Sequence, residues 1–413
     1  METTGGARNW SELPEDVLLT TMSAMEALDV VRASAVCSSW SSTYATFRRL
    51  RLPSPKQSPC LLYPHDDACG PDGMALYSPS ADATSRIRLP RDAVVLAGSA
   101  YGWLFVTDQA ANPYLLNPLT GARAVLPPAT SFQCVVGSSL DDDGNIVYHT
   151  EDPSLASYGD DVRIFSVTAR VARSWMYRHV ALSAGGAAPS CVVLVVHEQP
   201  MDLHFARPGD ERWSSLSSVG TGFVSAVYND KDGLFYALQC CGTVHALDLH
   251  GQASPTARAL IRTRGLVAHR RSLAVTPCGD VLLVARTSCL LQRLDIYDSG
   301  NAFSVYKLDL RAKKKVKLEG IGDHALFLGN KSSAVCAPIV DCPRLRPNCA
   351  YLADFSRASI PNREREVIKK RDVAIYWDFE SGVMHNICNM WPLHLLDMPD
   401  TAPAPIWLTP SPL

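Results

Sequence analysis

The stretch WSELPEDVLLTTMSAMEALDVVRASAVCSSW, from Trp10 to Trp40, decides how the chain begins, and its pattern is that of short amphipathic helices. Pro14 suits the first turn of a helix, where its missing N–H costs nothing, and two acidic residues follow it at the positive end of the helix dipole. Apolar residues then recur at spacings of three and four, as on one helix face. A second helix can begin at Asp29. The stretch therefore predicts two or three short helices.

A helical unit of this size has too little core to be stable alone. It also has more apolar residues than one inward face can bury, so some of them need another surface to cover them. That surface can be the domain that follows, with the helices as its cap, or it can be a partner protein. The residue pattern by itself leaves both possibilities open.

Three segments of this stretch resemble an F-box: LPEDVL from Leu13, DVVR from Asp29 and AVCSSW from Ala35. They follow one another in the order and spacing of that family. The resemblance implies binding to a Skp-type adaptor, which links F-box proteins to the cullin and RING subunits of a ubiquitin ligase. The residues that it marks as adaptor-binding are Leu13, Pro14, Val17, Leu18, Val30, Val31, Val36, Cys37 and Trp40.

After the helical stretch the sequence changes character. LPSPKQSP, residues 52–59, is rich in proline and is typical of a linker. Short apolar runs then alternate with Gly, Asp, Asn and Pro, as strands do with tight turns. Their spacing is close to the length of one propeller blade of four strands, which is about 45 residues. We place the centres of these runs at Leu62, Trp103, Ile146, Val193, Leu234, Val281, Leu326 and Val373.

The second half of the chain resembles a further family. NCAYLADFS from Asn348, DVAIYWDFESG from Asp372 and PIWLTPSP from Pro405 are similar to the plant DUF295 or KIB-type β-propeller domain, which commonly follows an F-box. The family supplies no established catalytic residues. We expect an α+β multidomain chain: a flexible N-terminus at 1–9, a helical F-box at 10–51, a Pro-rich linker at 52–59 and an all-β propeller at 60–413. The expected number of blades is six to eight, with seven favoured.

Composition narrows the class of protein. The chain has 413 residues and a formal net charge of -2, so no field over the whole molecule attracts nucleic acid or an anionic membrane. No apolar run approaches the roughly 20 residues that span a bilayer, and the start METTGGARN lacks the features of a secretory signal. The 13 cysteines form no C-x-x-C pair. We expect reduced thiols in an intracellular protein of the nucleus, the cytoplasm or both.

Motifs for catalysis are missing from the sequence. It has no phosphate-binding glycine loop, no G-x-S-x-G elbow and no H-E-x-x-H helix. DDDGN, residues 141–145, is better read as a hairpin turn than as a calcium loop. The basic run RAKKKVK, residues 311–317, fits a solvated turn before a strand, a localisation signal or a phosphate-binding patch. The prediction is therefore no catalytic, cofactor-binding or metal-binding residue.

The favoured function is that of a substrate-recognition subunit of an SCF-type ubiquitin ligase. Its partners would be a Skp-type adaptor, through it the cullin and RING subunits, and a target protein held by the propeller. A propeller that binds proteins without causing their degradation is the alternative. A propeller enzyme with acidic residues gathered at the central channel is a third possibility. The sequence does not identify the target-binding residues, because they would lie in loops.

Overall fold

The computed structural model describes residues 9–50, 58–64, 73–151, 164–184, 190–197, 201–251, 255–263, 270–286, 303–339, 344–353, 375–386 and 405–411. The chain opens with a helical unit, residues 9–50, in which a single 3-10 turn precedes three helices. These are α1 (Glu15–Ser23), α2 (Ala27–Ala33) and α3 (Ser38–Leu50). Among the residues described, no helix is long and apolar enough to cross a membrane.

The helical unit has a small core of its own. Its helices bury one face each, as the spacing of the apolar residues predicts. The indole N–H of Trp40 also donates a hydrogen bond of 3.1 Å to the carbonyl oxygen of Trp10, which ties α3 to the start of the chain. The buried members of this core are Leu18, Met22, Val30, Ala33, Trp40 and Phe47.

Most of the remaining described residues form β-sheets, which supply six blades of a ring and one further sheet. Blade 1 consists of β1 (Cys60–Pro64), β2 (Gly73–Ser78), β3 (Ala83–Arg88) and a strand from the far end of the chain, β28 (Ile406–Leu408). Blade 2 consists of β4 (Val94–Ala97), β5 (Leu104–Thr107), β6 (Pro113–Leu116) and β7 (Arg123–Val125). Blade 3 consists of β11 (His179–Leu182), β12 (Val193–Val196), β13 (Leu203–Ala206) and β14 (Ser214–Ser215).

Blade 4 consists of β15 (Phe223–Asn229), β16 (Leu234–Gln239), β17 (Thr243–Asp248) and β18 (Thr256–Arg262). Blade 5 consists of β19 (Arg270–Val275), β20 (Val281–Arg286), β21 (Phe303–Asp309) and β22 (Lys314–Leu318). Blade 6 has five strands: β23 (His324–Leu328), β24 (Ala334–Pro338), β25 (Cys349–Leu352), β26 (Ile375–Asp378) and β27 (Val383–Asn386). A parallel pairing of β19 with β24 joins blades 5 and 6 into one sheet.

The order of the blades follows from their packing. One hydrophobic cluster lies between each blade and the next, because successive residues of a middle strand point to opposite faces of its sheet. Buried pairs from the successive interfaces are Leu62 with Leu116, Phe105 with Val193, Leu194 with Phe235, Leu238 with Leu283, Val284 with Leu326, and Phe327 with Tyr63. The last of these pairs joins blade 6 to blade 1, so the ring is closed.

Strand β28 completes this closure. Its residues pair with β1 in antiparallel register, Trp407 opposite Leu61 and Leu408 opposite Cys60. The indole of Trp407 packs edge-on against Phe327 of blade 6 at 4.8 Å between ring centroids. Blade 1 is thus built from both ends of the propeller segment.

A further sheet is inserted between blades 2 and 3 of the chain. It contains β8 (Val135–Leu140), β9 (Ile146–Glu151) and β10 (Ile164–Thr168), and α4 (Ala169–Trp175) follows it. Blades 2 and 3 nevertheless contact each other: the indole N–H of Trp213 donates a bond of 3.0 Å to the Pro127 carbonyl, and Gly209 N–H donates one of 3.2 Å to that of Val125. The inserted sheet therefore lies beside the ring and is not one of its blades.

The propeller prediction is confirmed, and the described strands give six ring blades, at the lower end of the predicted range. Two of the eight run centres named above do not mark separate blades. Ile146 belongs to the inserted sheet. Val373 lies outside the described residues, and the strand after it, β26, pairs within blade 6 with β25, which in turn pairs with the strand that contains Leu326.

A short segment before β24 crosses the centre of the ring. The carbonyl of Lys331 in blade 6 accepts a bond of 2.7 Å from the N–H of Val180 in blade 3, on the opposite side of the ring. Ser333 Oγ donates a bond of 2.9 Å to the Ala226 carbonyl of blade 4, and Gly98 N–H of blade 2 donates one of 3.0 Å to Ser332 Oγ. This crossing segment, residues 331–333, therefore spans the channel and blocks it.

Candidate functional sites on the helical unit and the propeller

The helical unit presents apolar side chains to solvent. Val17 on α1 is 43% exposed, and Val36, in the turn between α2 and α3, is 64% exposed. Trp10 is 62% exposed, although its carbonyl is bonded to Trp40, and Pro14 is exposed at the start of α1. Exposed apolar residues in the first turn of α1 and in the turn after α2 are what a surface for another protein needs.

The residues predicted to bind an adaptor fall into three groups in the structure. Pro14, Val17 and Val36 are exposed. The side chains of the second group are half-buried; these are Leu13, Val31 and Cys37. The third group lies in the core of the helical unit and consists of Leu18, Val30 and Trp40. The third group can affect a partner surface only by holding the helices in place.

The helical unit packs against blade 1 through α2. Leu28 is buried in the cluster between blades 1 and 2. Glu26 Oε2 accepts a bond of 3.2 Å from Ser78 Oγ at the end of β2, and the Arg32 guanidinium donates to Ser85 Oγ in β3. Part of the excess apolar surface is thus covered by the propeller, which is the first of the two possibilities that the sequence left open, and the exposed residues remain free for the second.

The ring contains a cavity of about 260 Å³ beside the crossing segment. The loops that follow the inner strands β4, β15 and β19 form its mouth, and Ser333 and Ala334 lie along it where the crossing segment joins β24. The residues of these three loops that line it are Gly98, Ser99, Ala100, Tyr101, Asp230, Lys231, Thr276 and Pro277. A volume of this size suits one amino-acid side chain better than a larger organic ligand.

A tyrosine and a carboxylate from different blades meet at the mouth. Tyr101 of blade 2 donates its hydroxyl hydrogen to Asp230 Oδ2 of blade 4 at 3.0 Å. Partial burial of the carboxyl raises the pKa of Asp230, and the bond from Tyr101 acts in the opposite direction. Burial, with Asp230 as a smaller cause, raises the pKa of Tyr101. The ring of Tyr228 stands edge-on to Tyr101 at 6.5 Å.

Two adjoining loops hold Asp230 in place. Asn229 Oδ1 accepts a bond of 3.1 Å from the N–H of Lys231, and Asn229 Nδ2 donates one of 3.1 Å to the Gly279 carbonyl of blade 5. Gly279 has a φ of +93°, and a Cβ there would lie 2.8 Å from Cγ of Lys231. The stem of Lys231 therefore lies against the backbone of blade 5.

The helical unit and the cavity mouth lie on the same rim of the ring. Ser99, at the mouth, accepts a bond of 3.0 Å through its carbonyl from Thr409, the residue after β28. Pairing of Leu408 with Cys60, and of the next residue of β1 with Tyr77, puts Ser78 at the same level. Ser78 is the residue bonded to Glu26 of the helical unit.

Other motifs noted in the sequence have structural roles. Residues 141–145 form the turn between β8 and β9, with Asp141 Oδ1 accepting the N–H of Asn145 at 2.7 Å, which confirms the hairpin prediction. The basic run 311–317 forms the turn after β21 and most of β22, the outer strand of blade 5. In the ranges that the structure describes, no three His, Cys, Asp or Glu side chains converge as a metal site requires.

Comparison with known families agrees with this architecture. The model of the F-box domain matches residues 10–43, and the model of the KIB1-4 beta-propeller matches residues 76–377. The chain belongs to the KIB1-4 β-propeller family and carries an F-box. The F-box domain implies binding to a Skp-type adaptor, and an F-box joined to a propeller supports the general role of an SCF substrate receptor.

Plant F-box proteins resemble the chain over most of its length. The F-box/kelch-repeat protein At1g57790 of Arabidopsis thaliana is 29% identical over 352 residues, which cover 80% of each chain. The F-box protein At4g22165 of the same plant is 25% identical over 90% of this chain and 95% of its own. These relatives suggest a non-catalytic subunit. A solved oligogalacturonate lyase in complex with manganese aligns with 59% of this chain and 70% of its own, at 14% identity and a TM-score of 0.28, which is too low to carry any argument.

Sequence reasoning did not find the cavity residues. Tyr101 and Asp230 lie 129 positions apart and become neighbours only because blades 2 and 4 face the same channel. Neither residue lies in a catalytic motif. The loop position after an inner strand was the one available signal, since propeller loops carry recognition residues.

Proposed function

We propose that this KIB1-4 family protein is the target-recognition subunit of an SCF-type ubiquitin ligase. Its F-box would bind a Skp-type adaptor and through it the cullin and RING subunits. Its propeller would hold a target protein so that a target lysine is presented for ubiquitination. The protein would contribute proximity and orientation, with the chemistry done by other subunits. The proposal implies a location inside the cell, in the nucleus, the cytoplasm or both.

The observation that carries the proposal is the exposed apolar surface of the F-box. Trp10, Val17 and Val36 remain uncovered although α2 is already packed on blade 1. Apolar residues that cluster in solvent on one small domain are typical of a surface that another protein covers. The adaptor is the partner that the F-box domain implies.

The rim that carries the cavity mouth is the surface that we propose for the target. It combines loops from blades 2, 4 and 5 with polar and aromatic side chains, as a recognition surface does. It also lies on the side of the ring where the F-box is attached, which would keep a bound target near the ligase.

Adaptor capture tests the first half of the proposal. The double variant Val17→Asp with Val36→Asp places two charges on the exposed surface and leaves the F-box core untouched. We expect it to lose capture of a Skp-type adaptor by a factor of about 100 or more, since each desolvated charge costs about 1–3 kcal/mol. The matched control is Val171→Asp on α4, where the side chain is 50% exposed and belongs to the helix after the inserted sheet. Equal capture by the unchanged chain, the double variant and the control would overturn the proposal.

Turnover of the target tests the second half. We expect a propeller fragment without the F-box to bind the target and lengthen its half-life, because it competes with the intact chain for the same surface. If the intact chain never shortens the half-life of a protein that the fragment binds, the propeller is a binding module without a degradative role.

A further inference from the structure

The cavity beside the crossing segment, called the channel cavity below, carries charged and aromatic groups that favour some amino-acid side chains over others. Its role as a binding pocket for a target rests on the function proposed for the propeller rim. The carboxylate of Asp230 stands at the mouth, where three loops converge. Asp230 as a residue is exposed, yet surrounding atoms partly shield its carboxyl group from water. A shielded carboxylate attracts a cation more strongly than one fully in water, because the local dielectric constant is lower.

The protein itself fills only part of the hydrogen-bonding capacity of the Asp230 carboxylate. Across the described ranges, the hydroxyl of Tyr101 is its hydrogen-bond partner, on Oδ2, and no ion pair involves Asp230. An ionised carboxylate has about four lone-pair sites. Oδ1 is therefore available to a donor that enters the cavity, while the Tyr101 bond fixes the direction in which the group points.

Aromatic rings flank this carboxylate. Tyr101 and Tyr228 both line the cavity, and Tyr228 is itself held by Phe235 at 4.9 Å between centroids. Ammonium and guanidinium groups are attracted to aromatic rings within about 6 Å of their centroids. The combination of one carboxylate and two tyrosines therefore favours a positively charged group over a neutral or acidic one.

Among the residues described, Lys231 is the one cation that lines the mouth, and its charge repels a positively charged ligand. Its stem lies against Gly279, and no ion pair within 4.0 Å joins it to Asp230. The lysine therefore does not neutralise the carboxylate by direct contact. It limits the affinity by repulsion at longer range.

We propose that the channel cavity receives one lysine or arginine side chain of the target, with Asp230 as its counter-ion and Tyr101 and Tyr228 beside it. The crossing segment blocks the channel beyond the cavity, so the side chain enters from the rim and does not pass through the ring. The cavity volume of about 260 Å³ is large enough to accept one such side chain.

Capped pentapeptides with a single variable residue test this inference on the full chain. The probes are acetyl-Gly-Gly-Xaa-Gly-Gly-amide with lysine, arginine, norleucine or glutamate at the centre, and binding is followed by saturation-transfer NMR titration. We expect the lysine and arginine peptides to bind and the norleucine and glutamate peptides to bind at least about tenfold more weakly, as for the loss of one charge-assisted hydrogen bond.

Variants at the mouth give the sharper test. Asp230→Asn should weaken the lysine peptide about tenfold, whereas Asp142→Asn, the same change in the exposed turn of the inserted sheet, should leave its affinity unchanged. Lys231→Met should strengthen binding, because it removes a repulsive charge. If Asp230→Asn does not fold, the Lys231→Met result carries the test alone. A glutamate peptide that binds best, or a lysine peptide indifferent to both changes at the mouth, would overturn the inference.

Adaptor capture separates this inference from the proposed function. Asp230→Asn leaves the F-box unchanged, so capture should be retained in either case. Retained capture with no selectivity for the cationic peptides would overturn the cavity assignment and leave the ligase role standing. Selective binding of the cationic peptides by a chain that captures no adaptor would overturn the ligase role and leave the cavity assignment standing.

Discussion

Gly98 and Trp407 lie in direct backbone contact, and a Cβ at position 98 would come within 2.1 Å of the Trp407 carbonyl oxygen. Gly98 follows β4 in blade 2, and Trp407 belongs to β28 in blade 1. The close approach joins the strand that closes the ring to the neighbouring blade. A glycine is needed because the obstacle is backbone, which cannot rotate out of the way as a flexible side chain can.

We therefore expect Gly98→Ala to destabilise the propeller. The clash forces β4 and β28 apart, and overpacking of this kind costs about 1–3 kcal/mol or more. The melting temperature should fall by several degrees in a calorimetric or fluorescence scan. Gly137→Ala is the matched control, because a Cβ there meets its nearest neighbour, His149, at 3.7 Å. Equal melting temperatures for the two variants would contradict the role assigned to Gly98.

Removal of β28 should have a larger effect. A chain that ends at Ala404 lacks the strand paired with β1 and loses Trp407 from the interface between blades 6 and 1. We expect it to be insoluble or to be degraded rapidly by a protease, since β1 becomes an open edge. A chain that ends at Ser411 keeps the pairing and should resist the protease as the full chain does. A soluble shorter chain with a cooperative melting transition would show that closure is dispensable.

Much of the architecture could be predicted from the sequence, because helix starts and strand–turn patterns are local. Pro14 directly precedes α1, and the runs around Leu234 and Val281 are strands, as their flanking turns indicate. The number of blades was harder to predict from the sequence. A strand–turn pattern identifies a strand but not its place in the ring, so Ile146 of the inserted sheet looked like the start of another blade.

The site was predictable only in part, for a related reason. A motif shows which residue types recur but not which side of a helix each occupies once two helices pack. Leu18 and Val17 are neighbours in the same motif, yet one is buried in the F-box core and the other is exposed. The pairing of Tyr101 with Asp230 depends on the curvature of the ring, which no local pattern encodes.

Leu28 should couple the F-box to the propeller. Its side chain is 9% exposed and packs in the cluster between blades 1 and 2. Leu28→Ala removes that contact at a cost of about 2–5 kcal/mol. We expect the F-box and the propeller to melt in separate transitions in the variant, and hydrogen exchange to rise at Ser78 and Ser85. The comparison variant is Leu50→Ala at the exposed end of α3, where the side chain is 52% exposed. One shared transition in both variants would show that the two parts are coupled by other contacts.

Acid should destabilise the propeller through its buried histidines. Burial lowers the pKa of His179 to about 4, and burial also lowers the pKa of His197 and His204. The unfolded chain has histidine pKa values near 6.5, so it binds more protons than the folded chain below that pH. The stabilisation is thus fully present above about pH 6.5 and is lost as the pH falls from there toward 4.

The variant His179→Gln isolates one of these groups. A glutamine can still donate to the Ala226 carbonyl, which His179 Nε2 contacts at 2.8 Å, but it does not titrate. Between pH 6.5 and 4, we expect the free energy of unfolding to fall less steeply in the variant, by about 1.4 kcal/mol per pH unit. Urea unfolding at pH 7.5, 6 and 5 measures this slope. Parallel curves for variant and parent would refute the assignment of His179.

The crossing segment makes the order of synthesis matter for folding. The bond from Gly98 to Ser332 joins residues 234 positions apart, and the closing strand joins residue 60 to residue 408. Blades 2, 3 and 4 can form while the chain is still being made, but their shared channel stays open until residue 333 has emerged from the ribosome. Contacts of such long range are slow to form. We therefore expect nascent chains of this protein to keep the facing sides of blades 1 and 6 uncovered until the closing strand has emerged, and to depend on chaperones until the ring is closed.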